Sequence, residues 1–197
     1  AYAALETAVR KAPENAALRR RLAEFDIRIG RFSDARQHLQ VLRDASQNAV
    51  ADPVTESSDV QNPKQDASDR EALDLLMARS WAGTGDFEEA ATLAAGLVGF
   101  DLATRSFAAD ASPKRGPVDA YVLLAAVLDE KMQDKAAATA VLDELVKARP
   151  DDVKAWLALT SWQRQRGDLP AAKRAVAKAA ELAPKDADTL LAAFEVA

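Results

Sequence analysis

The sequence contains no cysteine and a single histidine, His38. Without cysteine there are no disulfides, no thiolate metal ligands and no Cys-His nucleophile; with one histidine there is no multi-histidine zinc site. No apolar stretch runs far enough without charge to cross a bilayer as a helix. A positively charged leader followed by an apolar core is also not visible, an absence without weight in a sequence that begins inside a repeat. Positive charge is not in excess: 26 basic residues stand against 31 acidic ones, a formal net charge of -5. That balance argues against general nucleic-acid binding, although a local basic stripe stays open. No glycine-rich phosphate loop is present, because Gly83-Thr84-Gly85 lacks the following Lys-Ser/Thr and reads as an inter-helix turn. Aromatic residues are scarce at 6%, so the 49% hydrophobic share leans on alanine. Alanine loses no side-chain entropy in a helix and lets helices approach closely, so the composition predicts a closely packed helical chain.

The pattern along the chain repeats. Gly30-Arg31-Phe32-Ser33-Asp34-Ala35, Gly85-Asp86-Phe87-Glu88-Glu89-Ala90 and Gly167-Asp168-Leu169-Pro170-Ala171-Ala172 each give a short turn, an apolar residue and an alanine three further on. Gln133-Asp134-Lys135-Ala136-Ala137-Ala138 keeps the spacing without the glycine. Pro150 and Pro184 lie 34 residues apart, each after a helical pattern, where proline ends a helix by removing a donor and clashing with the preceding turn. Repeats are predicted to start at Ala16, Glu71, Asp119 and Val153, with a half-repeat before (1–15) and after (187–197). Helical apolar stripes recur in the first helix of each: Leu18, Leu22, Phe25 and Ile29; Tyr121, Leu124, Ala125 and Leu128; Trp156, Leu159 and Trp162. Ala35, Ala90, Ala138 and Ala172 are placed at the helix crossings. Acidic pairs such as Glu88-Glu89 and Asp151-Asp152 open helices, where they complement the dipole. His38 falls at a polar position of a second helix and reads as an exposed residue.

In the best repeat, Val153 to Asp186, the residues Trp156, Leu159, Gly167, Ala172, Ala179 and Pro184 share one 34-residue frame. This frame resembles the tetratricopeptide-repeat (TPR) family. The resemblance implies an all-α, right-handed α-solenoid of stacked antiparallel helix pairs, a single domain over 1–197 with repeats at 16–70, 71–118, 119–152 and 153–186. One departure recurs: family position 11, usually a large aromatic, is Asp26, Asp129 and Gln163, while position 10 is Phe25, Leu128 and Trp162, as though the anchor were displaced by one residue. The start inside a repeat and the end on apolar residues suggest a segment of a longer array. Its alanine-rich, cysteine-free style suggests a bacterial chain.

Two insertions interrupt the period. Residues 45–70 are polar, carry Pro53 and Pro63, and read as a flexible loop or linker. Residues 99–117 contain Phe100, Leu102 and Phe107 and are expected to be ordered against the repeats.

No catalytic set assembles, so the chain reads as a non-enzyme without cofactor or metal. In the TPR family the first helix of each repeat lines a concave groove. The resemblance then implies partner-binding positions at Arg20, Glu24 and Arg28, at Leu75 and Arg79, at Leu123, Val127 and Lys131, and at Lys154, Leu157, Ser161 and Arg164. Basic residues around an apolar middle would suit an extended or helical peptide with acidic and apolar side chains; a solvated charged face is the plain alternative. The family's clamp for chaperone C-termini is absent, since Arg20, Glu24, Leu76, Ala120 and Leu124 stand at its positions. The implied function is a protein-interaction scaffold with a protein or peptide partner, neither nucleic acid nor direct membrane insertion. Self-association or a spacer role, and service as the regulatory arm of an enzyme domain outside these residues, are the alternatives.

Overall fold

The computed structural model describes residues 2–51, 63–107 and 116–197. Among these the chain is all-α apart from one two-stranded hairpin, and it divides into two compact bodies, Ala1–Leu97 and Val98–Ala197.

In the first body α1 (Tyr2–Lys11) packs on α2 (Ala16–Arg28), α2 pairs with α3 (Phe32–Ala51), and α3 packs on α4 (Pro63–Thr84). A turn leads to α5 (Phe87–Val98). Asn15 caps α2 by accepting a hydrogen bond from the Leu18 amide at 3.0 Å. The turns before α3 and α5 need left-handed backbone, supplied by Gly30 (φ 80°) and Gly85 (φ 90°), which carry no Cβ to oppose it. One core gathers Ala23, Ala35, Leu39, Leu76 and Met77, with Ile27, Leu73 and Leu93 against it. Gly83 lies inside α4 with the Phe32 ring seated where its Cβ would be. The neighbouring Ser80 is fully buried and donates to the Phe32 carbonyl at 2.7 Å, so α4 grips the start of α3 twice.

The second body opens with β1 (Phe100–Asp101) paired antiparallel to β2 (Ser106–Phe107), in the register Phe100 to Phe107. Phe100 meets Phe107 edge-on at 5.1 Å, and Phe107 stacks on Tyr121 at 6.5 Å. These aromatic contacts seat the hairpin on α6 (Val118–Glu130), so residues 99–107 are ordered on apolar anchors; residues 108–115 of that insertion lie outside the described residues. Then α6 pairs with α7 (Lys135–Ala148), and α8 (Val153–Gln165) pairs with α9 (Leu169–Leu182). The last helix, α10 (Ala187–Glu195), packs on α8 and α9. Asp134, Asp152, Asp168 and Asp186 cap four of these helices through their carboxylates.

The four crossing alanines, Ala35, Ala90, Ala138 and Ala172, are all completely buried. At the turn without glycine, Gln133 itself takes φ 54°, the conformation Gly167 takes (φ 77°) in the equivalent turn.

Three sequence expectations are corrected. The stretch 45–70 is not simply a loop: α3 continues to Ala51 and α4 begins at Pro63, because proline is tolerated in a first helical turn where its amide would be unbonded anyway; residues 52–62 lie outside the described residues. Ile29 is exposed rather than in the core stripe. In α2 the inward position is Asp26, fully buried, while Phe25 is only half-buried, so the anchor is not displaced there: the family position still points in, with a carboxylate on it.

Candidate partner-binding site

In the first body the residues that the resemblance assigns to a groove lie on α2 and α4. Arg28 is exposed, and Arg20 and Arg79 are half-exposed. Arg20 is held at 3.3 Å by Glu24 on its own helix and at 3.3 Å by Asp69 on α4. Its charge is therefore partly offset, and Glu24 acts as its counter-ion. Leu75 is 8% exposed and faces the core, so it offers a partner no surface.

In the second body α6 and α8 lie side by side. Lys131 and Lys154 are exposed; Leu123, Leu157, Ser161 and Arg164 are half-buried. Arg164 pairs with Glu195 of α10 at 3.4 Å. Val127 is 3% exposed, and like Leu75 it belongs to the core rather than to a binding face. Helical position alone did not distinguish the two, because a helix packed on both flanks buries more than one stripe.

A second constellation was visible in sequence only as a departure from the family. Asp26 of α2 is 0% exposed, and neither carboxylate oxygen accepts a hydrogen bond. Arg31 Nε stands 4.0 Å from Oδ1 and His38 Nε2 stands 3.9 Å from Oδ2, both beyond hydrogen-bond length. The Tyr2 hydroxyl on α1 also favours the ionised carboxylate from outside hydrogen-bond geometry. Burial is the larger influence and pushes the Asp26 carboxyl up. His38 is half-buried against Asp26, not an exposed surface residue, and burial pushes its imidazole down against the pull of Asp26. Arg31 is drawn aside by Asp34 at 2.6 Å and lies 4.9 Å from the centre of the Tyr2 ring.

Among the described residues no group of three or more acidic or histidine side chains could hold a metal ion. No described helix is long and apolar enough to cross a membrane.

A family model of the tetratricopeptide repeat matches residues 1–52. In those residues the chain resembles the tetratricopeptide-repeat family. No curated protein matches it. Among solved structures it is similar to YrrB, described as a TPR protein with an unusual peptide-binding site, at 16% identity and a TM-score of 0.47, covering 100% of this chain and 83% of that one. It is similar also to MamA AMB-1 at 16% identity and a TM-score of 0.44, covering 93% of this chain and 81% of that one. Tetratricopeptide repeats in general serve as non-enzymatic interaction modules.

Proposed function

We propose that this TPR scaffold docks an extended or helical segment of a protein partner along the faces of its first-in-repeat helices, the segment bearing acidic and apolar side chains. The observation that carries the reading is the juxtaposition, in the second body, of exposed Lys131 and Lys154 with half-buried Leu123 and Leu157 on the adjacent helices α6 and α8. Apolar surface between cations gives a segment somewhere to bury its own apolar residues while its acids meet charge at the rim. Arg28, with Arg20 and Arg79, supplies positive charge on α2 and α4 of the first body.

The test is selection from a displayed random-peptide library on the intact chain. We expect enrichment of acidic-apolar peptides, and binding weakened about ten-fold or more when Arg20, Arg28 and Arg79, or separately Lys131 and Lys154, are changed to Glu, at a melting temperature close to wild type. Peptides that bind both variants as well as wild type would sink the reading.

A second reading rests on α10, where Leu190, Leu191 and Phe194 are exposed, Phe194 by 82%. An apolar face of that kind suits self-association. Light scattering over a concentration series would show a mass that rises with concentration in wild type and stays monomeric in Phe194→Ser.

A further inference from the structure

One side of α10 packs on α8 and α9: Thr189 and Val196 are buried, and Ala192 and Ala193 lie with Val196 against Ala172 and Val176 of α9. Its other side carries Leu190, Leu191 and Phe194, which share a face by their three- and four-residue spacing. All three are more than half exposed, and no described element covers them. Large apolar side chains gathered on so short a helix mark an interaction surface, unlike apolar residues scattered singly. The charge on α10 has one sign. Asp186 caps the helix, Asp188 stands in its first turn and Glu195 in its last, and no basic residue lies among Ala187–Glu195.

The first body offers a helix of complementary character. Tyr2, with its ring 5.7 Å from that of Phe25, and buried Val9 hold α1 to α2. On a different side Ala4, Ala8 and Lys11 recur at helical spacing, Ala4 and Lys11 exposed and Ala8 half-buried. Methyl groups there let a large side chain descend close to the helix, and large against small is how packed layers interdigitate. Arg10 and Lys11 place positive charge in the last turn, Arg10 with only a 3.8 Å contact to Glu6 and its side chain 76% exposed. Antiparallel packing brings the last turn of α1 beside the first turn of α10, so that Arg10 and Lys11 meet Asp186 and Asp188. A second α10 is the poorer partner: it has no basic residue to offer these acids and sets its own Glu195 beside them.

We propose that α10 of one copy docks antiparallel on α1 of a second copy, with Leu190 and Phe194 seated over Ala4 and Ala8. This rests on the reading of α10 as a self-association face and names the surface that receives it. The contact is head-to-tail. Each pair keeps one unused α1 and one unused α10, so growth passes two copies until a ring closes or a filament forms.

The experiment is sedimentation velocity of the intact chain over a concentration series. Wild type should exceed the mass of a dimer at the highest concentrations. Phe194→Ser, with its α10 face broken, and Ala4→Glu, with its α1 face broken, should each stay monomeric at wild-type helicity, both side chains being exposed. Mixed in equal amounts, the two variants should form a species of two copies and none larger, because one intact α10 meets one intact α1. Lys11→Glu probes the same face a second way: it should weaken association about three-fold, and Asp188→Lys in the same chain should restore it. A wild type that stays monomeric would overturn both this contact and the self-association reading. Ala4→Glu associating as strongly as wild type, or a mixture that stays monomeric while wild type associates, would overturn the contact with α1 alone.

Discussion

At Asp26 and His38 the same burial acts on two titrating groups with opposite sign. The folded state binds a proton on His38 less readily than the unfolded chain does, because burial holds the imidazole down. Stability from His38 is therefore present above the unfolded value of about 6.5 and lost as pH falls through it toward the folded value. Asp26 is pushed up, so its contribution is greatest at low pH and is lost as pH rises through the folded value. Comparison with His38→Gln isolates the first effect. Urea midpoints at about pH 7.5 and 5.5 should show wild type losing more stability on acidification than the variant does; equal slopes would mean that His38 is solvated. Gln133 gives a second test at this scale. It holds φ 54°, which costs an L-residue about 1–2 kcal/mol, so Gln133→Gly should stabilise by about 0.5–1 kcal/mol once the entropy of glycine is deducted. A thermal melt reads this as a rise of a few degrees. The sequence announced both sites without explaining them: one as an acid where an aromatic is usual, the other as a turn lacking its glycine. How an odd residue is accommodated depends on its neighbours from other helices, and these are not adjacent in sequence.

Helices and their crossings were far more legible, because alanine spacing and turn chemistry are local. Ala35, Ala90, Ala138 and Ala172 were placed at crossings from their distance to the turns, and all four are sealed. Enlarging one should drive two helices apart: we expect Ala138→Leu to cost about 1–3 kcal/mol, against almost nothing for the exposed Ala140→Leu on the same helix. Gly83 was less legible. As part of Gly83-Thr84-Gly85 it reads as a turn, yet it is helical and its missing side chain makes room for Phe32. The clash predicts that Gly83→Ala, ordinarily stabilising within a helix, instead destabilises by about 1–3 kcal/mol in a urea titration. The contact spans 51 residues of sequence, out of reach of any local pattern. Leu75 and Val127 failed as surface residues for a related reason, since helical phase says which residues share a face and not how many faces are covered.

At the scale of the whole chain, period and proline spacing carried the resemblance to the tetratricopeptide repeat, whose family model matches residues 1–52. On the proposed reading a partner is recognised by particular charges, and several of these are engaged within the protein: Arg20 with Glu24 and Asp69, Arg164 with Glu195. A partner must compete for them, so binding by these residues should weaken with added salt less steeply than their number suggests. A series of peptide affinities across ionic strength would check this, and a steep slope would mean that the cations are open to the partner after all. One further consequence follows from where the three tryptophans fall. Trp81, with the Arg36 guanidinium 3.8 Å from its ring centre, is in the first body, and Trp156 and Trp162 are in the second. Each half thus contains its own optical reporter. In Trp81→Phe the emission follows Val98–Ala197 alone, and with Trp156 and Trp162 both replaced by Phe it follows Ala1–Leu97. Melting the two variants side by side measures the cooperativity of the array: coincident midpoints mean that stability is transmitted along the chain, and separate midpoints mean that each half melts by itself.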